Sequence, residues 1–564
     1  KAWSTAPWTH DMSKWLRSVP MDRLCRNEWW WLVKRALKHH RCSRMDQTTA
    51  LRAAAGRGNL VMVEQLSSLH ARRCYNSALQ LAAAGGYLHV VAHLCSLPTD
   101  RGVEPDDKGN YALKQAAQCG HLQVVQCLCS LPPERGVVPG VGDNYALRVA
   151  AARGHLQVVQ YLCSLPPERG VKPDANGNDA LTTAARYGHL QVVQYLCSLP
   201  TDRGVIPGAD DNYALRLAAG SGHLPVVQYL CFLPPERGVK PDAGDNYALR
   251  FAAGSGHLRV VQYLCSLPPE RCVKPDADDN YALRVAAESG HLHVVQYLCS
   301  LPPDRGVEPD ADDNYALTRA VARGHFRVVQ YLCSLPPNRG VKPGARDNYT
   351  LKRAAHRGKL HVVQYLCSLP PDRGVNADAD DNSALRFAGE CGRLLVAQYL
   401  CSLPPDRGVK PDADDNWAVS LAARSGHLQV VQYLCSLPPD RGVKPGARDN
   451  YALRSAARCG HLQVVQYLCS LPPDRGVKPD ADDSCALSCA AESSHLQVVQ
   501  YLCSLPPDRG VKPCARDNYA LTTAARYGYL QVVRYLCSLP PDRGVKPGSA
   551  LNEAAGCGHL QVVQ

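Results

Sequence analysis

No run of about 18 apolar residues occurs anywhere in the 564 residues, so no stretch of the chain is long and greasy enough for a helical membrane span. There is no Gly-rich phosphate loop, no His-Glu-x-x-His, and no recognisable trio of Ser, His and carboxylate, so no catalytic set emerges and no cofactor or metal is implied. The chain opens on Lys1 without a signal-peptide pattern. Charged residues are only 20% against 45% hydrophobic, which excludes wholesale disorder. Tryptophan is nearly missing from most of the chain: six of the seven lie in the first 47 residues.

What is present in abundance is self-similarity. Asn110, Asn144, Asn178, Asn212, Asn246, Asn280, Asn314, Asn348, Asn382, Asn416 and Asn450 stand 34 residues apart, and Asn518 keeps the register after Ser484 takes the place of one Asn. Counted from the Ala of Tyr-Ala-Leu, about sixteen copies run from Ala50 to Ala550, the first two and the last irregularly spaced. The last is truncated: the chain stops at Gln564 inside a motif that earlier copies complete, and so reads as a piece of something longer.

Each copy predicts two helices. In the copy at Ala282, the apolar residues of Ala282-Leu283-Arg284-Val285-Ala286-Ala287 fall at i, i+1, i+4 and i+5 and make a short helix ended by Gly290. His291 to Leu301 reads as a second helix with Leu292, Val295, Leu298 and Cys299 on one stripe, stopped by Pro302 and Pro303. The Gly-, Pro- and Asp-rich remainder is turn chemistry, with Asp279 or Asn280 expected to cap the next helix. One such hairpin cannot bury its own apolar face, so neighbours must stack into one continuous core.

Gly290-His291-Leu292, Val294-Val295 and Leu298, together with Leu283 and Ala286-Ala287, resemble the ankyrin repeat, and the resemblance covers residues 48–564. It implies an all-α, helix-turn-helix repeat solenoid acting as a non-catalytic scaffold that binds protein partners on its concave face. Two features depart from the family: Tyr-Ala-Leu-Arg stands for Thr-Pro-Leu-His, and the hairpin loop is shortened, leaving the projecting β-finger either formed or reduced to a bend. The tetratricopeptide repeat shares the length but not its two long helices or its Trp, Gly, Tyr and Phe signature.

Residues 1–47 are different material, a cap on the first repeat or a separate module. They hold Trp3, Trp8, Trp15, Trp29, Trp30 and Trp31, and ten Lys or Arg against four Asp or Glu, half of the net +12 of the chain. Asp22 to His40 is compatible with a helix presenting Leu24, Trp31, Leu32 and Leu37 beside Arg23, Arg26, Lys34, Arg35 and Lys38.

Of 26 cysteines, fourteen from Cys95 to Cys537 recur at one position of the second helix. Stacked helices sit about 8 to 10 Å apart, beyond the Cα separation of about 7 Å that a disulfide tolerates, so these read as small buried hydrophobes in a reducing compartment, cytosol or nucleus. Cys485 and Cys489 form the one i, i+4 pair able to share a metal, and would need a ligand from a neighbour. The Asp-rich loop lacks the Gly and Glu of a calcium loop. Its carboxylates are solvated or pair with the row Arg148, Arg216, Arg250, Arg284, Arg386 and Arg454.

Copies differ most at the residue before Ala-Ala and the two after it, which the resemblance places on the recognition face. Two adjacent copies carry Arg319, Arg323, Arg353, His356 and Arg357 there, a candidate partner-binding patch for an acidic protein segment. No small-molecule substrate is implied. Binding of nucleic acid or an anionic membrane through the basic N-terminus and this patch, or service as the targeting module of an enzyme whose catalytic domain lies elsewhere, are the alternatives.

Overall fold

The computed structural model describes residues 19–563, apart from 28, 40–43, 69–74, 99–102 and a few positions in most of the proline-containing connections from 133 to 544. Trp3, Trp8 and Trp15 lie outside the described residues. Contacts divide the chain into two units, residues 1–278 and 279–564. Both are rows of paired helices, an all-α repeat solenoid with no strand among the described residues. No strand of a β-finger is formed by those residues. None of the described helices is long and apolar enough to cross a membrane.

The first unit opens with α1 (Met21–Arg26) and α2 (Trp30–His39), followed by α3 (Arg44–Ala55), α4 (Leu60–Ser67) and α5 (Tyr75–Ala84). The single helix expected from Asp22 to His40 is therefore two, broken at Asn27. The break resets the helical phase, so Leu24, Leu32, Val33 and Ala36 are buried while Trp31 stays exposed. α1 packs on α3 as α3 packs on α5, so it stands where the first helix of one more copy would stand.

The copy at Ala248 shows how the sequence writes the repeat. Ala248, Leu249, Ala252 and Ala253 are all buried on its first helix (Ala243–Gly254), and Val260, Val261, Leu264 and Cys265 on its second (Leu258–Ser266). Alanines on the stacking face let first helices approach closely, and each buried Val or Leu contributes about 1.5–3 kcal/mol. The unit of residues 279–564 repeats the pattern, as at Ala452, Leu453, Ala456 and Ala457 on Ala447–Arg458.

Recurring polar residues join the copies. Gly222 is left-handed (φ +79°), and a Cβ there would lie 2.5 Å from Nδ1 of His257 in the next copy. His257 Nε2 in turn lies 3.0 Å from the carbonyl of Gly220, so the ring closes the end of the preceding first helix. In the connections, Arg237 donates to the carbonyl of Cys197 at 2.6 Å, a cation on the last turn of a second helix.

Asn is the third link, and it corrects the cap expected at this position. Asp245 and Asn246 with Gly244, and the equivalent triplets of other copies, form a left-handed turn (φ 60, 52 and 64° here) before the right-handed helix starts at Tyr247. Side chains leaving such a turn point away from the amides of their own helix. Buried Asn280 accepts instead from the backbone N–H of Glu308 at 3.0 Å, one copy on, as Asn246 does from Lys274 at 3.0 Å. Asn178 makes both bonds a peptide would make, accepting from Ile206 N at 3.1 Å and donating to Ile206 O at 3.3 Å. Ser484 keeps the acceptor, 2.9 Å from Lys512 N.

Candidate partner-binding face

With Asn, His and the connection Arg tied into links between copies, the first-helix side chains before and after Ala-Ala are the ones left to vary. Beside them runs the Tyr and Arg of Tyr-Ala-Leu-Arg. Arg216 lies over the rings of Tyr213 and Tyr247 at 4.9 and 5.0 Å, and Arg284 over Tyr281 and Tyr315 at 5.3 and 4.5 Å. Other members of the row reach carboxylates: Arg148 pairs with Asp179 at 2.7 Å and Arg250 with Asp278 at 3.2 Å. The expected pairing of loop carboxylates with this row is seen for Arg250, and also for Arg386 with Asp414 and Arg454 with Asp482. Such cation–π contacts are worth about 0.5–1 kcal/mol when exposed.

The two Arg-rich copies have first helices Ala311–Arg323 and Ala345–His356. Between them lies a cleft of about 210 Å³ whose walls include Tyr315, Tyr349, Arg319, Arg353, Ala322, Asp313 and Arg346. Arg319 and Arg353 are therefore brought together on one cleft. Arg323, His356 and Arg357 are not among its walls and lie toward the helix ends.

Their electrostatics divide the five candidate residues into two groups. Arg319 and Arg323 are one helical turn apart and both reach back to the preceding copy, where Glu288 meets Arg319 Nε at 3.2 Å and Arg323 Nη2 at 2.8 Å. Arg353 has no such carboxylate, because the residue 34 positions after Glu288 is Ala322. Its guanidinium sits 6.0 Å over Tyr349. The other cations of the patch are partly neutralised too: Arg346 bonds Asp313, and Lys352 meets Asp380 at 2.8 Å.

His356 marks the centre of the positive charge that remains. Burial holds its pKa below the usual histidine value, and Arg353, Arg357 and Arg393 lower it further, against a smaller upward pull from Glu390. The ring meets Phe387 edge-on at 5.9 Å. Arg393 was not among the residues singled out from the sequence. It takes the place of His in Gly-His-Leu and makes that residue's link, donating from Nε to the carbonyl of His356 at 3.0 Å. The signal was there as Gly392-Arg393-Leu394, one of the few breaks in the motif, next to another at Gly358-Lys359-Leu360. Glu288 was missed for a different reason: pairing across copies depends on which first-helix residues face each other, and the repeat period alone does not say.

No group of three or more His, Cys, Asp or Glu side chains among the described residues is arranged to hold a metal ion. None of the described cysteines forms a disulfide, and burial pushes thiols of the recurring row, such as Cys197 and Cys299, up to about 12.

A family model described as ankyrin repeats in three copies matches residues 51–143, 135–206, 249–347 and 419–517. Among solved structures, the chain is similar to the ankyrin repeat domain of Bcl-3, a member of the IkappaB protein family, at 25% identity over 38% of this chain and 98% of that one, with a TM-score of 0.29. It is also similar to an ankyrin repeat family protein from Legionella pneumophila, at 23% identity over 52% of this chain and 83% of that one, with a TM-score of 0.22. Comparison with curated proteins returns no match.

Proposed function

Since the chain belongs to the ankyrin-repeat family, whose repeats generally mediate protein–protein interaction, we propose that it is a non-catalytic scaffold whose first-helix face at the copies of Ala316 and Thr350 holds an acidic segment of a protein partner. The observation that carries this reading is the cluster of Arg353, Arg357 and Arg393 around His356, faced by Glu390 alone among the acids that act on that ring. Like charges concentrated on a half-buried surface raise the local potential and favour an anionic partner. Arg319 and Arg323, held by Glu288, line the approach and contribute less. The Trp-rich residues 1–47, which include α1 and α2, are proposed to cap the array, since α1 packs on α3 as one more first helix would. The row of buried thiols, none of the described ones in a disulfide, supports a reducing compartment, cytosol or nucleus.

Affinity capture with the chain as bait, followed by binding measurements with the captured protein, tests the proposal. Arg353→Glu with Arg357→Glu is expected to leave the melting temperature within a few degrees of the parent and to weaken binding at least tenfold, about 1.4 kcal/mol. A double variant that folds and binds as the parent does overturns the assignment of the face. A nucleic-acid or membrane ligand instead of a protein announces itself through affinity that collapses steeply between low and physiological salt.

A further inference from the structure

One copy departs from the pattern at several positions together. Where others read Asn-Tyr-Ala-Leu-Arg, the copy at Ala486 reads Ser484-Cys485-Ala486-Leu487-Ser488, and Cys489 follows at the position held by Arg319 and Arg353 elsewhere. Cys485 and Cys489 sit one turn apart on the helix Ala481–Glu492, with their Sγ atoms 3.9 Å apart. Arg458, from the preceding copy, places Nη2 3.5 Å from Cys489 Sγ and 3.6 Å from Glu492 Oε2. Cys489 is 4% exposed, whereas Cys485 is only half-buried and gives the pair a way out to solvent.

Three chemistries suit two close thiols: a shared soft metal ion, an inert pair of buried thiols, or oxidation. The guanidinium decides against the metal, because a cation held by Cys489 would meet a second fixed positive charge at hydrogen-bond range. It decides against inertness for the same reason, since it stabilises sulfur as thiolate. The pair shares its protons unequally. Either sulfur can donate in their contact, and Arg458 stands beside Cys489 alone, so the Cys489 thiol is pulled well below its ordinary value by the neighbouring Cys485 and by Arg458, while that of Cys485 is pushed up. The recurring thiols nearby behave oppositely, with burial raising Cys469 and Cys503 to about 12.

We propose that Cys489 and Cys485, with Arg458, form a peroxide-reactive dithiol: Cys489 is the nucleophile, Cys485 the resolving thiol, and a hydroperoxide the substrate. The Cys489 thiolate attacks one peroxide oxygen, an S–O bond forms, the O–O bond breaks, and the leaving oxygen takes a proton to become water or an alcohol. The Cys485 sulfur then attacks the sulfenic acid. An S–S bond forms, the S–O bond breaks, and hydroxide leaves with the Cys485 proton as water. The two sulfurs lose the two electrons that the peroxide gains. Residues i and i+4 of a helix have Cα atoms about 6 Å apart, inside the range a disulfide accepts, but Cβ atoms about 5–6 Å apart, wider than the roughly 4.5 Å that it tolerates, so closure asks this turn of the helix to tighten locally as the bond forms.

The test uses the whole chain and hydrogen peroxide. Reduced protein is exposed to limiting peroxide, remaining thiols are alkylated, and peptides are mapped by mass spectrometry. The expected result is a disulfide between Cys485 and Cys489 that forms at least tenfold faster than oxidation of exposed Cys459. Cys485→Ser should stop the reaction at a sulfenic acid on Cys489 that dimedone traps, and Arg458→Gln should slow it several-fold, with circular dichroism unchanged in both. Oxidation of Cys459 in step with the pair, or peroxide consumption with no 485–489 disulfide in the unmodified chain, overturns the proposal without reference to any variant.

Discussion

The Asn row offers the sharpest test of how copies are joined. Asn178 is buried, left-handed at φ 66°, and forms two hydrogen bonds to the backbone of Ile206 in the next copy. Asn178→Ala removes both, a loss of about 0.5–1.5 kcal/mol each. It also places an ordinary Cβ in the left-handed region, which costs about 1–2 kcal/mol and which Asn partly escapes. The total is about 2–5 kcal/mol. Asn178→Gly loses the same bonds but not the conformational fit, so it should be milder than Ala by about 1 kcal/mol, the reverse of the helix-interior order. Repeat arrays need not unfold in one step, so the suitable assay is amide hydrogen exchange read at Ile206. Each 1.4 kcal/mol is a factor of about ten, so exchange there should accelerate at least tenfold in the Ala variant and less in Gly. Asn178→Ser should fall between Gly and the parent, since Ser484 keeps the acceptor in its own copy. Equal protection in parent and Ala, or Ala milder than Gly, would refute the idea that the side chain and the left-handed turn act together.

Three further outcomes follow from the same geometry. Ala286 is fully buried and Val285 half-buried, so Ala286→Arg should cost several kcal/mol while Val285→Arg is mild; equal falls in melting temperature would show the helix faces to be misassigned. Glu288→Gln releases Arg319 and Arg323, and should strengthen capture of an acidic partner several-fold at low salt while costing less than about 1 kcal/mol of stability; unchanged affinity removes both arginines from the interface. His356 has its pKa lowered by burial and then by Arg353, Arg357 and Arg393, so folding disfavours its charged form. Its contribution is complete above the ordinary value of 6.5 and is lost as pH falls below it, so His356→Gln should reduce the drop in melting temperature between about pH 7 and about pH 5.

Much of the fold was legible because its determinants are local and recur. The spacing of Ala282, Leu283, Ala286 and Ala287 defines a buried helix face by itself, and Gly290 defines its end. What was not legible depends on the neighbouring copy. Asn280 looked like a helix cap because capping is the commonest use of Asn before a helix; its actual partner, Glu308, is 28 residues away and is reached only because a left-handed turn re-aims the side chain. The break at Asn27 escaped because apolar residues on both sides of it fit one continuous stripe almost as well as two. In the candidate site, Arg319 and Arg353 looked equivalent in sequence. They differ in the structure because Glu288 and Ala322, the residues each reaches back to, differ.

That distinction also says where new chemistry can arise in such an array. Asn246, His257 and Arg237 are engaged with other copies, so changing any of them disturbs a joint between repeats. The residue before Ala-Ala is under no such obligation: it faces the end of the first helix of the copy before it, yet is free to be Val285, Arg353 or Cys489. A side chain there is held by a rigid helix and read together with one from the copy before it, as Arg319 is with Glu288 and Cys489 with Arg458. Pairs across the joint, more than single residues, are therefore the units in which this face acquires charge or reactivity. The two places where it departs furthest from the common pattern, around Arg353 and at Cys489, are each defined by what the neighbouring copy supplies or withholds: Ala322 withholds a carboxylate from Arg353, and Arg458 supplies a positive charge to Cys489.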